Sequence, residues 1–377
     1  MRFAIVTETY PPEINGVALT VRSFVEGLGA RGHEVELIRP RRPGETAGGG
    51  DEHRLPSAPV PRYPGLRFGL PAAARLRRLW TARRPDAVYA ATEGPLGWSA
   101  VSAARRLGIP VATGFHTRFD DYAGRYGLGF MAPMVFAWLR HFHNRAQATL
   151  VPTDELVGFL RSSGFEHPVK LARAVDTQRF DPGFRDPGLR AHWGIPDRGL
   201  AVVHVGRIAP EKNLALVVST FRAIQAVRPD ARMVFVGDGP SRAAIERENP
   251  DFVFAGMQTG EALSRHWASA DLFVFPSTSE TYGNVTLEAM ASGVATVAYA
   301  YGAALEHIRD GSSGRAIEVD AAQAFQAAAV ELADDDALRA RLAANGRAAL
   351  SGLDPASVAE QFETILAGLA HPAERAA

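Results

Sequence analysis

Short apolar runs separated by longer amphipathic stretches constrain this chain more than any other feature. The runs "FAIVTE" (3–8), "EVELI" (34–38), "AVYAA" (87–91), "PVATGF" (110–115) and "ATLVP" (148–152) have strand length, and helix-like segments lie between them. That βαβα rhythm requires a parallel sheet covered by helices on both faces, with a ligand crevice at the carboxyl ends of the strands. Residues 176–198 break the rhythm with Pro, Gly and charge, and read as an interdomain connection. The pattern restarts with "LAVVHVGR" (200–207), "RMVFVGDG" (232–239), "FVFAG" (252–256), "DLFVFPS" (271–277) and "VATVAY" (294–299). The expected fold class is α/β, with one domain over 1–175 and a similar one over 199–353 facing it across a hinge. A C-terminal helix over 354–377 is expected to return to the first domain.

Two segments depart from the alternation. Residues 320–369 read as wholly helical, with Gly346 and Gly352 as punctuation, and the acidic "ADDDA" at 333–337 reads as a solvated helix start rather than a metal site. Residues 40–62 read as a Pro/Gly/Arg-rich loop too long for a plain connector. The formal charge is zero and 46% of residues are hydrophobic, which favours a globular protein over a disordered chain or a general nucleic-acid binder. With no cysteine, thiolate nucleophiles and Cys-built zinc sites are excluded. No signal-peptide pattern and no run of about 18 apolar residues is present, so the expectation is a cytoplasmic protein.

Lysine usage singles out one site. Only Lys170 and Lys212 stand among 39 arginines, and Lys212 lies five residues after Arg207, immediately before the helical pattern "NLALVVSTF". Arg207 follows a strand, so both cations can point into the crevice. There a helix N-terminus adds free N–H groups and partial positive charge suited to a diphosphate. Arg offers a planar fork, whereas Lys offers a compact charge that can follow an oxygen as its charge grows. The bland alternative is two solvated cations at a helix start.

The second constellation is "PSTSETYGNVTLEAMASG" (276–293). Glu280 falls in a loop after a strand, and Glu288 within the first turns of the next helix. Gly283 and Asn284 mark where the backbone can approach a ligand. Two such carboxylates can accept hydrogen bonds from sugar hydroxyls; singly, each is as easily a surface salt bridge or a turn cap. "VGDGPSRA" (236–243) fails as a dinucleotide turn because Arg242 occupies the third glycine position, and no P-loop is present. "HFHNR" (141–145) lacks a third ligand for a metal.

The segments "GRIAPEKN" and "SETYGNVTLEAMASG" resemble the paired signature of the family 4 retaining glycosyltransferases, which have the GT-B fold of two Rossmann-like domains across a cleft. The opening "AIVTETYPPEINGVALTV" and "FHTRFDDYAGRYG" are most similar to the bacterial GDP-mannose-dependent α-mannosyltransferases that act on lipids, with sulfoquinovosyl-transferase-like members nearby. The resemblance implies that Arg207 and Lys212 bind the donor diphosphate, Glu288 the ribose and Glu280 the transferred sugar. It assigns 254–258, with Met257, to the nucleobase, and brings Gly16 close to the phosphates. Many relatives carry two glycines where this chain has Asn15 and Gly16, which leaves Asn15 without an assigned role. His116, after "PVATGF", is placed beside the donor sugar, and Arg118 and Tyr122 are acceptor candidates.

The implied reaction moves a hexose, with mannose expected, from a GDP- or UDP-sugar to an acceptor hydroxyl with retention. The clamp stabilises the departing phosphate, so no cofactor and no divalent metal is expected. His116 orients the sugar rather than serving as sole base. The rival readings are a sugar-nucleotide epimerase and a noncatalytic sugar-nucleotide binder. "YPGLRFGLPAAARLRRLWTARRP" (63–85) and "LGFMAPMVFAWLRHF" (128–142) suit peripheral contact with the inner face of the plasma membrane and a lipid acceptor, although ordinary core packing also explains much of their composition.

Overall fold

The computed structural model describes residues 1–13, 15–60, 67–116, 132–196, 198–278, 280 and 282–371. Two compact units emerge: Met1–Ala174 with Pro355–Ala377, and Val175–Asp354.

The first unit contains β1 (Arg2–Val6), β2 (Glu34–Pro40), β3 (Gly48–Gly49), β4 (Glu52–Leu55), β5 (Ser57–Pro59), β6 (Arg67–Gly69), β7 (Ala87–Ala90), β8 (Val111–Gly114), β9 (Ala148–Val151) and β10 (Pro168–Lys170). Eight of them form one sheet in the order β10-β9-β8-β7-β1-β2-β4-β3, while β5 and β6 pair as a separate ribbon. All neighbours in the large sheet are parallel except β3 and β4. β1, β7, β8 and β9 are buried along their whole length, which is why they read as continuous apolar runs instead of alternating ones. The strand order reverses at β1, between β7 and β2, and that puts a switch point at their carboxyl ends.

Residues 40–60 are not the continuous loop expected of 40–62, because β3, β4 and β5 lie there. Arg39 pins the segment by pairing with Glu45 at 2.8 Å and Glu52 at 2.7 Å, a local charge pattern that strand periodicity does not register.

The second unit holds β11 (Ala201–Val205), β12 (Arg232–Val236), β13 (Val253–Gly256), β14 (Leu272–Phe275), β15 (Ala295–Tyr299) and β16 (Arg315–Ile317). They form an all-parallel sheet in the order β13-β12-β11-β14-β15-β16, whose switch point lies between β11 and β14. Its faces bury two clusters, one around Val202, Phe235 and Val274 and the other around Val203, Phe273 and Leu287.

Residues 176–198 pack into this unit instead of bridging. Phe180, Trp193 and Ile195 are buried in its second cluster, and Arg190 donates to the Ser269 carbonyl at 2.7 Å and to Asp271 at 2.9 Å. The large apolar side chains decide the outcome, since burying each contributes about 1.5–3 kcal/mol.

The C-terminal region is three helices, Ala322–Asp334, Asp336–Ala348 and Pro355–Ala370. Asp335 caps the second by accepting from the Leu338 amide at 2.8 Å. Gly346 lies inside that helix and does not punctuate it; a Cβ there would come within 2.8 Å of the Ser313 carbonyl. The third helix belongs to the first unit. Its Val358, Phe362 and Leu366 are buried against Phe24 and Leu28 of helix Gly16–Ala30.

Candidate functional site

The switch point of the second sheet gathers the charged residues. Arg207 follows β11, and Lys212 ends a single 3-10 turn, Pro210–Lys212, that leads into helix Leu214–Val227. Glu280 lies in the turn after β14. Because β11 and β14 are neighbours, Lys212 Nζ reaches Glu280 Oε1 as an ion pair, and Ser277 Oγ donates to the same oxygen at 3.0 Å. Lys212 and Glu280 are 15% and 20% exposed, whereas Arg207, 58% exposed, pairs with Glu211 at 3.4 Å. An exposed pair of that kind is worth about 0–1 kcal/mol, so Arg207 can turn to an incoming anion at little cost.

The glycine-rich "VGDG" explains how the Arg207 turn is held. A Cβ on Gly237 would stand 2.0 Å from the Gly206 carbonyl, and one on Gly239 would stand 2.3 Å from that of Ile208. Backbone bonds from Gly206 to Val236 and from Ile208 to Asp238 lace the two turns together. These glycines serve close backbone approach, which accounts for the failed dinucleotide pattern.

Two helix N-termini open at this edge. Helix Leu214–Val227 starts after Asn213 in the left-handed region, and helix Asn284–Ala291 after Gly283 at φ 88°; neither has a side-chain cap among the described residues. Their first N–H groups are therefore available to an anion. Asn284 Oδ1 is buried without a hydrogen-bond partner among the described residues. Glu288, one turn into that helix, accepts from the Trp267 indole at 3.2 Å. Burial raises its carboxyl above the ordinary range, while the indole and Arg179 oppose the rise. Met257 follows β13 and is 65% exposed.

In the first unit, helix Gly16–Ala30 opens beside β1. Asn15 acquires a role here as its N-cap, accepting from the Ala18 amide at 2.9 Å while donating to Thr9 at 2.8 Å. The neighbouring N-terminus of helix Pro95–Arg106 is filled from within the chain. Glu8 accepts from the Leu96 amide at 2.9 Å and from the Gly69 amide, and its carboxyl is raised by burial against these backbone bonds. The two units thus differ electrostatically: helix ends are open at the second switch point, whereas the first supplies its own carboxylate and cap.

His116 stands just beyond β8. Its Nε2 lies 3.0 Å from the Tyr89 hydroxyl, and its Nδ1 lies 3.4 Å from Arg173 Nη2. Burial, then Arg173 and His143, hold its pKa well below the usual histidine range. His143 from "HFHNR" is buried against Thr113 at 2.8 Å, and no group of three or more His, Asp or Glu able to hold a metal occurs among the described residues. Arg118 and Tyr122 lie outside the described residues.

The structure brings Lys212, Glu280 and the uncapped helix ends together in one unit and places Gly16 and His116 in the other. Glu8, Tyr89, Arg173 and Trp267 went unnoticed in the sequence. Glu8 and Arg173 share the signal that exposed Arg207, a charged residue within three positions of a strand's carboxyl end; Tyr89 and Trp267 look like ordinary core aromatics.

Comparison with known proteins bears on this arrangement. Residues 14–179 match the model of Glycosyltransferase Family 4, and residues 199–335 that of Glycosyl transferases group 1. A GDP-mannose-dependent alpha-mannosyltransferase of Mycolicibacterium smegmatis is 36% identical, covering 88% of this chain and 88% of that protein. One of the same name from Corynebacterium glutamicum is 34% identical over 89% of this chain and 81% of its own. Among solved structures, sucrose-phosphate synthase of Thermosynechococcus elongatus superposes with a TM-score of 0.76 at 17% identity, covering 98% of both chains. With two Rossmann-like units, the open helix ends of the second and relatives spanning most of its length, this chain belongs to the family 4 glycosyltransferases of GT-B fold.

Proposed function

We propose that the enzyme transfers mannose from GDP-mannose to an acceptor hydroxyl with retained configuration, and that the acceptor is a glycolipid. The observation that carries the donor half is the cluster of Arg207, Lys212 and two uncapped helix N-termini at one switch point. As the bond from the anomeric carbon to the β-phosphate breaks, negative charge grows on phosphate and preformed donors stabilise it. Lys212 moves from Glu280 to phosphate, which frees Glu280 to accept from the sugar. Glu288 receives the ribose hydroxyls, Met257 with residues 254–258 lies against the base, and the Gly16 turn approaches the phosphates. His116 orients the sugar. No divalent ion is needed in this scheme, because cations and helix ends supply the neutralising charge.

The names of relatives support the choice of sugar and acceptor class. Several are called GDP-mannose-dependent mannosyltransferases, and others are a sulfoquinovosyl transferase of Arabidopsis thaliana, 31% identical, and an alpha-monoglucosyldiacylglycerol synthase of Streptococcus pneumoniae, 27% identical. A face of the first unit supports peripheral contact with an anionic membrane surface at the cytoplasmic side. Met134 and Trp138 are 64% and 42% exposed, Trp138 packs on Trp98 at 4.7 Å, and Arg140 lies on the same helix, which has no acidic residue in its first turn. No helix among the described residues is long and apolar enough to cross a membrane.

Calorimetry with GDP-mannose, UDP-glucose and UDP-GlcNAc, followed by mass analysis of products formed on a diacylglycerol-based glycolipid, tests both halves. Tight binding of GDP-mannose and a mannosylated lipid are expected. Preference for a uridine donor, or donor conversion without acceptor, overturns the reading.

A further inference from the structure

His116 has two ring nitrogens and both are engaged within the first unit: Nδ1 by Arg173 at 3.4 Å and Nε2 by Tyr89 at 3.0 Å. A guanidinium can only donate, so Nδ1 must accept. A ring whose two nitrogens both accepted would be an anion, so Nε2 carries the hydrogen and the Tyr89 oxygen accepts it. We propose that Arg173 and Tyr89 are positioning residues that clamp His116 in this one neutral tautomer; the proposal rests on the reading that His116 lies at the transfer site.

Three further observations fit the clamp. A Cβ on Gly114 would come within 2.3 Å of the Tyr89 hydroxyl and 2.5 Å of His116 Nε2, so the glycine in "TGFH" leaves the space in which they meet. The cavity lined by Thr20, Phe24, Tyr89, His116 and Arg173 is about 10 Å³, room for about one water and no more. Tyr89 is itself fixed, its ring standing edge-on to Phe362 at 5.0 Å and to Phe24 at 6.0 Å.

The clamp has a chemical consequence. Burial is the first obstacle to a charged ring; protonating Nδ1 would also set a cation against the Arg173 guanidinium, and His143, from the helix packed nearby, adds to the same opposition. Among the described residues, Tyr89 from β7, Arg173 after β10 and His143 are the groups found to face the ring or act on it, and Glu93 meets His143 at 3.4 Å. His116 therefore stays neutral where an ordinary histidine titrates. It holds no nitrogen free to take the acceptor proton, and acts as a fixed, uncharged surface for the reacting sugar.

Nitrogen-15 NMR of the full chain labelled on histidine, with His116 assigned by its loss in His116→Gln, reads the ring directly. The expected wild-type signal is a bare Nδ1 and a protonated Nε2, unchanged between about pH 5 and 8. In Arg173→Leu the ring should populate both neutral tautomers, and kcat should fall about ten- to a hundredfold while KM for the sugar nucleotide stays within about twofold. Arg173→Lys should recover part of kcat. A ring in Arg173→Leu that keeps the single wild-type tautomer would overturn the proposal. If that variant does not fold, Tyr89→Phe keeps the aromatic packing and removes only the acceptor, so an unmoved Nε2 signal would overturn it equally. Full transfer by His116→Gln with the expected wild-type spectrum would instead refute the role of His116 in transfer and leave the clamp standing.

Discussion

Lys212 and Glu280, 68 residues apart, meet as an ion pair because the strands preceding them are neighbours across the switch point of the second sheet. The pair stores the positive charge of the donor site against a carboxylate that the proposed reaction also uses. Removing one partner therefore leaves the other without its counter-charge.

Lys212→Ala and Arg207→Ala should each lower kcat/KM for the donor at least about tenfold, since a charge-assisted bond to a buried anion is worth about 1.5–3 kcal/mol. Lys212→Arg should also be impaired, as a planar fork replaces a compact charge. The double variant Lys212→Ala/Glu280→Ala should lose less than the sum of the single losses, by about 1 kcal/mol or more. Strict additivity in that cycle would show that the pair is not coupled during turnover.

Glu288→Ala should weaken nucleotide binding, whereas Glu280→Ala should spare it and depress transfer. Trp267→Phe, which removes the donor 3.2 Å from Glu288 and keeps most of the packing, should weaken nucleotide binding by about threefold to tenfold, the size of one hydrogen bond. Calorimetry with GDP on the three variants checks the order, and a Trp267→Phe protein that binds GDP as tightly as wild type would detach the indole from the ribose site.

Chelation should leave the transfer rate within about twofold if, as proposed, cations and helix ends supply the charge that stabilises the departing phosphate. Rates measured before and after EDTA, with magnesium and manganese added back, decide it. Activity lost to chelator and restored by metal would replace the proposed clamp with a metal-assisted one.

His204, fully buried on β11 between Phe235 and Phe275, has its pKa pushed down to about 4 from 6.5 by burial. Between these values the unfolded chain binds more protons than the folded one, so acidification destabilises. The contribution is complete above 6.5 and lost by about 4, amounting to about 3 kcal/mol at most. Urea unfolding of wild type and His204→Leu at pH 7 and pH 4.5 should show a smaller acid loss in the variant. Equal losses would mean that the ring charges freely in the folded state.

Strand and helix periodicity alone places Arg207, Lys212, Glu280 and Gly283 at element ends, because a charged or flexible residue at the end of a buried run has few other places to go. The pairing of Lys212 with Glu280 was not legible, since it depends on β11 lying beside β14, and strand order is not written in local pattern. Tyr89 and Arg173 escaped for the same reason: they join His116 from β7 and from the segment after β10, which local pattern does not bring together. Composition misled at 176–198, where Pro, Gly and charge suggested a linker while Phe180, Trp193 and Ile195 were the residues that mattered.

The helix Pro355–Ala370 gives the order of synthesis a say in folding. Phe362 stacks on Phe24 at 4.2 Å, and Ala359 packs so closely on Gly27 that a Cβ there would meet it at 2.4 Å. On the ribosome the first unit must therefore wait, with Phe24, Tyr89 and Leu28 uncovered, until the whole of residues 175–354 has emerged. The second unit is contiguous and can close first. A chain stopped before residue 355 would carry a complete second unit attached to an unfinished first one, with its apolar seam open to other chains.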